Sequence, residues 1–366
     1  MLKNNKASIL VFTLLILSIL TILTQQLVRS VFIGYSFSSN QVAAQQARTL
    51  ALGGVQLAIS QLNIEKNVDK KDIEEKSEDK KFKDFLSLIL PNINRWQHFD
   101  LKEELDGIDG QIKFCISCEN GKININKAFD FKKNEFKENY KNLFNGLEIK
   151  GKLNSGEIEK RLTEFFKERK KPLDDISELI NVSGLEKISI FYDPPELSSD
   201  KKKNKQNSKI YLQDLFTTWS EKEELQLLFL SDSTLAVLGL RRPLADDIIT
   251  LKEKFKIFIK SFSKDWLKSW ESNWNNFTPI YGRDIKILKL VEKNLAKEFV
   301  PTVYSVLSCG KVKNVEQKLL VVLQEVENEK KEEESKKDSA KEKIVSAKQK
   351  EEKPLKKFQI VRMYWL

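Results

Sequence analysis

The chain is poor in the residues that carry chemistry. Among 366 residues there is one histidine, His98, and three cysteines, Cys115, Cys118 and Cys309. One histidine leaves a Ser-His-Asp or Cys-His arrangement only a single base. It also excludes zinc sites that need two histidines, and three cysteines cannot make a four-cysteine site. No G-x-G-x-x-G and no G-x-x-x-x-G-K-[ST] occurs, so the loops that cradle phosphates are missing. From Ala7 to Leu62 there is no proline, and the only glycines are Gly34, Gly53 and Gly54. These absences point away from an enzyme and towards binding or assembly.

What is present is unevenly spread. Lys+Arg number 63 against 53 Asp+Glu, a net charge of +10, with 32% charged and 40% hydrophobic residues. At roughly 100–200 residues per domain, the length allows one large or two modest domains with a real core. The first 30 residues are apolar, whereas Glu327 to Lys357 is almost all Lys and Glu. That stretch holds 11 Lys against 9 acids, a net of +2, and reads as a solvated helix or disordered loop. Its mixed signs do not suit a nucleic-acid arm.

Ser8 to Leu23 reads SILVFTLLILSILTIL, without charge, Gly or Pro. The hydroxyls of Ser8, Thr13, Ser18 and Thr21 can bond back to their own helix. Extended to Val28, the run reaches about 20 residues, enough to span roughly 30 Å of hydrocarbon. Lys3 and Lys6 precede it, so the positive-inside rule puts the N-terminus in the cytoplasm. A cleaved signal peptide is the alternative, but the run is long and no small-x-small pair follows it. The helical pattern then continues. Val42, Ala43, Ala47, Leu50, Ala51, Gly54, Val55, Ala58, Ile59 and Leu62 recur at three- and four-residue spacing. One helix of about 55 residues is expected, roughly 80 Å long. Its first half is apolar all round and its second half amphipathic.

Such a helix resembles the spine of type IV pilins and pseudopilins. Ala47-x-x-Leu50-Ala51-x-x-Gly54-Val55-x-x-Ala58 looks like the A-x-x-L-A-x-x-G-V-x-x-A stretch of minor pseudopilins. The resemblance implies cleavage by a prepilin peptidase at Ala7–Ser8, or at Lys6–Ala7. Alanine stands where the family has glycine. The glutamate that major pilins carry five residues after the cut is replaced by Phe12, or by Val11 for the earlier cut. Since an unpaired intramembrane charge is costly, an apolar residue there suits a tip or initiating subunit.

Gln111 to Asn126 (QIKFCISCENGKININ) reads as two alternating strands around a tight Asn120-Gly121 turn, and Asp106-Gly107 and Asp109-Gly110 mark a turn upstream. Gly121-Lys122-Ile123-Asn124-Ile125-Asn126 is similar to the G-K-[IL]-N-[LI]-N element of general secretion pathway protein K, a type II secretion minor pseudopilin. An ordinary Asn-rich hairpin is the alternative. Cys115 and Cys118 form C-x-x-C, but strand parity points them to opposite faces and no second C-x-x-C exists. Pairing of either with Cys309 stays open.

From Phe129 to Glu298 the pattern turns helical, as in Ile158-Leu162-Phe165-Phe166 and Leu225-Leu228-Phe229. Glu178, Leu179, Val182 and Gly184 match the family's E-L-x-x-V-x-G element, and Leu235 to Ile249 has the cadence of a helix-hairpin-helix. Only Gly239 marks that hairpin, so DNA binding is a weak reading. Trp266, Trp270 and Trp274 make an aromatic stripe read as core. The family's acidic calcium-binding stretch has no counterpart. Asp174-Asp175 and Asp246-Asp247 read as helix caps or first-turn acids. No cofactor and no metal is expected. Val300–Leu307, Lys318–Val326 and Phe358–Trp365 are β-branched or aromatic runs that read as closing strands.

The resemblance implies an α+β, pilin-like fold: a long N-terminal transmembrane/spine helix, an antiparallel β-sheet and a large inserted helical (helix-hairpin-helix/SAM-like) domain. The expected divisions are a leader (1–7), transmembrane helix (8–28), amphipathic spine (29–62), first pilin part (63–127), inserted domain (128–298) and closing strands (299–366) with a charged loop (327–357). The implied function is that of a minor pseudopilin that helps initiate and cap the periplasmic pseudopilus tip. Its implied partners are other minor pseudopilins, the inner-membrane assembly platform, prepilin peptidase and the lipid bilayer. The implied location is the inner membrane of a Gram-negative type bacterium, single-pass, with the bulk of the chain periplasmic. The alternatives are a tip pilin of a type IV pilus or DNA-uptake machine, and a plain anchored scaffold.

Overall fold

The computed structural model describes residues 4–63, 86–87, 89–140, 143–144, 147, 157–185, 210–220, 223–238, 294–296, 302–326 and 357–366. One helix, α1 (Asn4–Asn63), takes up its first 60 residues, about 90 Å at 1.5 Å per residue. Nothing in its sequence breaks it. The hydroxyls of Thr13, Ser18, Thr21 and Thr24 donate to the carbonyls of Leu10, Leu14, Leu17 and Leu20. Their polar groups are therefore satisfied within the helix, as an apolar surrounding requires.

Among the described residues, five strands form an antiparallel sheet in the order β1-β2-β7-β8-β9. They are β1 (Trp96–Leu101), β2 (Gly110–Cys118), β7 (Val303–Val312), β8 (Val315–Val326) and β9 (Lys357–Trp365). A short helix, α2 (Glu103–Asp106), closed by Gly107 at φ 70°, turns the chain from β1 into β2. The sheet has two occupied faces. Ile112, Phe114 and Ile116 of β2 stand in register with Gly310, Ser308 and Val306 of β7, and those last two with Leu319 and Val321 of β8. This is the face that α1 covers. Cys115, Ser305, Leu307 and Leu320 lie on the opposite face, which meets the inserted region.

The α+β class and the pilin-like arrangement of one long N-terminal helix on an antiparallel sheet are as expected. The three closing strands form where the β-branched runs lie, with β7 reaching Val312. The expected hairpin around Asn120-Gly121 does not form. Glu119–Gly121 make a 3-10 turn, and β3 (Ile123–Asn124) pairs in parallel with β6 (Phe216–Thr217). Two causes are visible. A type I′ turn needs positive φ at both central residues, and neither Asn120 nor Gly121 has it. Moreover β2 is flanked by β1 and β7, so it offers no free edge to a returning strand.

The inserted region contributes α3 (Ile125–Ala128), β4 (Phe129–Asp130), β5 (Glu135–Phe136), α4 (Glu157–Arg169), α5 (Leu212–Leu215) and α6 (Asp232–Val237). Phe166 of α4 stacks on Phe129 at 4.9 Å between centroids, and Phe136 and Phe144 meet edge to face at 4.7 Å. Leu227–Phe229 is a 3-10 turn where a helix was expected. Gly239–Ile249 of the helix-hairpin-helix cadence, Trp266, Trp270, Trp274, Asp246-Asp247 and residues 327–356 lie outside the described residues.

Candidate assembly surface and its supporting joint

The two halves of α1 live in different surroundings. Leu10, Phe12, Leu17, Val28, Phe32 and Phe37 are all more than half exposed. From Leu10 to Phe37 this bare apolar surface runs about 42 Å, longer than the roughly 30 Å of a bilayer's hydrocarbon. From Ala43 onward one stripe is buried: Ala47, Ala51, Val55 and Ala58 have at most 1% exposure. The periodicity locates this stripe, with one exception. Val42 is exposed.

Small residues let the helix sit close to the sheet. A Cβ on Gly310 would lie 2.0 Å from the Ala47 carbonyl oxygen and 2.6 Å from the Ala51 nitrogen. A Cβ on Gly54 would lie 2.2 Å from Ser308 Oγ. At these two points backbone meets sheet with no room for a side chain. The Ser308 hydroxyl, closed in at this contact, has no hydrogen bond.

The Gly121–Asn126 block is a joint between sheet and insertion. Lys122 Nζ donates to Glu119 Oε1 at 2.5 Å and to Ser305 Oγ of β7 at 3.2 Å, with both charged side chains almost fully buried. The Asn120 side chain accepts from the amides of Thr302 and Val303 and donates to Ser220. Asn124 donates to the Ser220 carbonyl and caps α3 by accepting from Lys127 N. Asn126 makes a reciprocal pair with the Leu173 backbone, at 2.9 and 2.7 Å. A Cβ on Gly121 would strike the Phe229 carbonyl, and Ile123 and Ile125 are buried. Each asparagine thus answers a backbone group that would otherwise lie buried and unpaired.

The second matched element is also structural. Asp175 caps the 3-10 helix Ile176–Asn181 in a capping box with Glu178. The Glu178 carboxylate also pairs with Arg169. Leu179 and Val182 are buried, and Gly184 turns at φ 96° against Arg161. Asp174 lies beside Arg169. The acids of this stretch therefore serve caps and ion pairs. Among the described residues no three of His, Cys, Asp or Glu gather closely enough to hold a metal ion.

His98, Lys113 and Cys309 are cross-strand neighbours on β1, β2 and β7. Two strand spacings, about 10 Å, separate the histidine from the thiol, too far for a nucleophile–base pair. His98 instead meets Asp100 at 2.8 Å. The three cysteines are buried and none of them forms a disulfide. Burial pushes the Cys118 thiol up to about 12, so it stays protonated.

Sequence reasoning missed what β9 does. Trp365 lies under Arg48 of α1, with 5.6 Å from guanidinium to ring centroid. On the other face Arg362 lies over Trp219, and Tyr364 Oη donates to Asp175 Oδ2 at 2.7 Å. One edge strand thus holds the spine helix and the insertion. Its alternating aromatics signalled a strand, but nothing local names such distant partners. As for the implied processing positions, Ala7 and Ser8 lie in helical backbone, and Phe12 is 66% exposed.

No family model matches the chain, and no curated protein does. Among solved structures it is similar to a chain of the GspK-GspI-GspJ complex from the enterotoxigenic Escherichia coli type 2 secretion system. That similarity covers 90% of this chain and 98% of the other, at 13% identity and a TM-score of 0.43.

Proposed function

We propose that this chain is a minor pseudopilin of a type II secretion machine, similar to general secretion pathway protein K, and that it acts by subunit assembly rather than catalysis. One observation carries the reading: α1 buries Ala43 to Leu62 against its own sheet and leaves Leu10 to Phe37 bare. A bilayer covers about 30 Å of that length. The apolar surface beyond Arg29, at Val31, Phe32 and Phe37, then needs neighbouring helices. In this reading the N-terminus is cytoplasmic and the body periplasmic. Phe12 favours a subunit with none ahead of it, and the inserted region would block addition above it. The other minor pseudopilins and the assembly platform are its partners, and prepilin peptidase acts at Ala7 or Ser8.

Charge placed at Phe32 tests this without disturbing the body, because that side chain is 70% exposed. Phe32→Asp should leave the protein folded and membrane-bound, yet abolish both co-purification with the other minor pseudopilins and export. Normal export by that strain would overturn the proposal. Sequencing the mature N-terminus adds an independent arm, with Ser8 or Ala7 expected first.

A further inference from the structure

The face of the sheet that α1 covers is not covered to its edge. Leu319, Val321 and Leu323 of β8 stand in register with Trp365, Met363 and Ile360 of β9. The three β8 residues are buried, whereas Trp365, Met363 and Ile360 remain 43%, 44% and 39% exposed. An apolar strip therefore runs along β9 beside the helix. Arg48 overhangs one end of it, with its guanidinium over the Trp365 ring and its Nε donating to Gln317 Oε1 at 3.3 Å. Among the described residues Arg48 meets no carboxylate.

The strip joins the bare half of α1. At about 100° per residue, Phe37, Arg48 and Leu52 fall within about 60° of one another on the helix. Phe37 belongs to the bare half, and Leu52 is 40% exposed. Apolar surface thus passes down this side of α1, interrupted by Gln41 and Gln45, and onto β9.

Lipid, a second copy, an added strand or a helix could cover such a strip, and three of these fit poorly. Arg48 lies 20 residues beyond Val28, about 30 Å along the helix, so a bilayer around Ser8 to Val28 does not reach it. A second copy paired edge to edge would set Lys357 and Arg362 near their own kind, and β9 has no acid to answer them. A strand added to the edge would meet the register shift opposite Val322 and Leu323, and bulges of this kind blunt an edge. A helix needs no hydrogen bonds from the edge. One that covers Phe37 reaches the level of Leu52 in about four turns.

We infer that Ile360, Met363 and Trp365, with Arg48 and Leu52 of α1, form a second docking face that seats an amphipathic helix of a neighbouring subunit, with a carboxylate of that helix against Arg48. The apolar strip takes the apolar face of the incoming helix. Covering the strip withdraws the Arg48 guanidinium from water, and a cation so withdrawn requires an opposite charge. The partner's identity as another minor pseudopilin rests on the assembly reading above.

Crosslinking in cells that co-express the full chain with the other minor pseudopilins tests it. A benzophenone amino acid replaces Met363. Phe32 serves as the reference position in the bare half, and Leu105, 83% exposed beside the opposite edge of the sheet, as the control. Met363 should link to a peptide from the N-terminal helix of another subunit, and Leu105 should not. Arg48→Glu should lower the yield at Met363 about tenfold or more, and Arg48→Lys should keep it. Changing the partner acid nearest the link to lysine should restore the yield in Arg48→Glu. Capture at Phe32 with none at Met363 would overturn this docking face and leave the assembly reading standing. No capture at either position would overturn both. A link from Met363 to a second copy of this chain, or to a partner segment outside its helix, would overturn the choice of occupant. Equal yields in Arg48→Glu and wild type would overturn the carboxylate contact.

Discussion

Lys122 Nζ stands 2.5 Å from Glu119 Oε1, and neither side chain exposes more than 4% of its surface. The pair closes the turn that sends the chain out of the sheet and into the inserted region. Removing one partner strands the other charge, a loss of roughly 3–5 kcal/mol. Lys122→Met alone should therefore lower stability strongly, by urea titration of the full chain in detergent. The double variant Lys122→Met/Glu119→Leu should recover much of it. If the double variant is as unstable as the single, the pair is not the source of the loss.

The close approach of α1 to β7 makes a second prediction. Gly310→Ala sets a methyl against helix backbone that cannot yield, and overpacking of this kind costs roughly 1–3 kcal/mol. Ser308→Ala should instead be neutral or stabilising by about 1 kcal/mol, since it removes a buried hydroxyl that lacks a partner. Gly54→Ala should be harmful alone and milder in combination with Ser308→Gly, because the serine hydroxyl is the nearest atom to the new methyl. Thermal melts of the four variants would decide these signs.

Thiol titration makes a third. Cys115, Cys118 and Cys309 are buried thiols outside any disulfide. An aromatic disulfide reagent should label none of them quickly in the folded protein and all three in denaturant. With Cys118 pushed up to about 12, its native labelling should stay slow from about pH 7 to about pH 9. Rapid labelling of Cys118 in the native state would contradict the burial, and a denatured count below three would reveal a disulfide.

The Tyr364–Asp175 contact makes a fourth. Burial raises the Asp175 carboxyl, but the hydrogen bonds from Ser177 and Tyr364 and the charge of Arg362 outweigh it and hold it below the usual value. A lowered carboxyl contributes stability above its unfolded pKa and loses it as pH falls through the folded one. Asp175 is half-buried, so solvent screening limits the loss in Tyr364→Phe to about 1 kcal/mol at neutral pH. Wild type and variant should converge as the carboxyl protonates, near pH 4 and below. A constant difference across that range would assign the contact to packing alone.

The elements that were legible had strong local signals. Periodicity with no proline gave α1, and β-branched runs gave β7, β8 and β9. Asp175 was legible as a cap because capping is a local bond. The motif around Gly121 was legible as a block but misread as a hairpin. Its asparagines bond to Thr302, Ser220 and Leu173, all far away in sequence. Strand β1 carried no strong local signal, because none of its six residues is buried at this end of the sheet.

By itself the sequence determined the apolar length of α1, the small-residue stripe that lets it approach a sheet, and the scarcity of catalytic groups. These follow from residue type and spacing, which act over a few turns of helix or a few residues of strand. Only the tertiary structure decided that Gly121 to Asn126 are a joint, that β9 holds both layers, and that Asp214 and Lys122 line one cavity. Those relations join segments scores of residues apart. Burial creates them, because a charge or amide withdrawn from water must find its partner wherever the fold brings one.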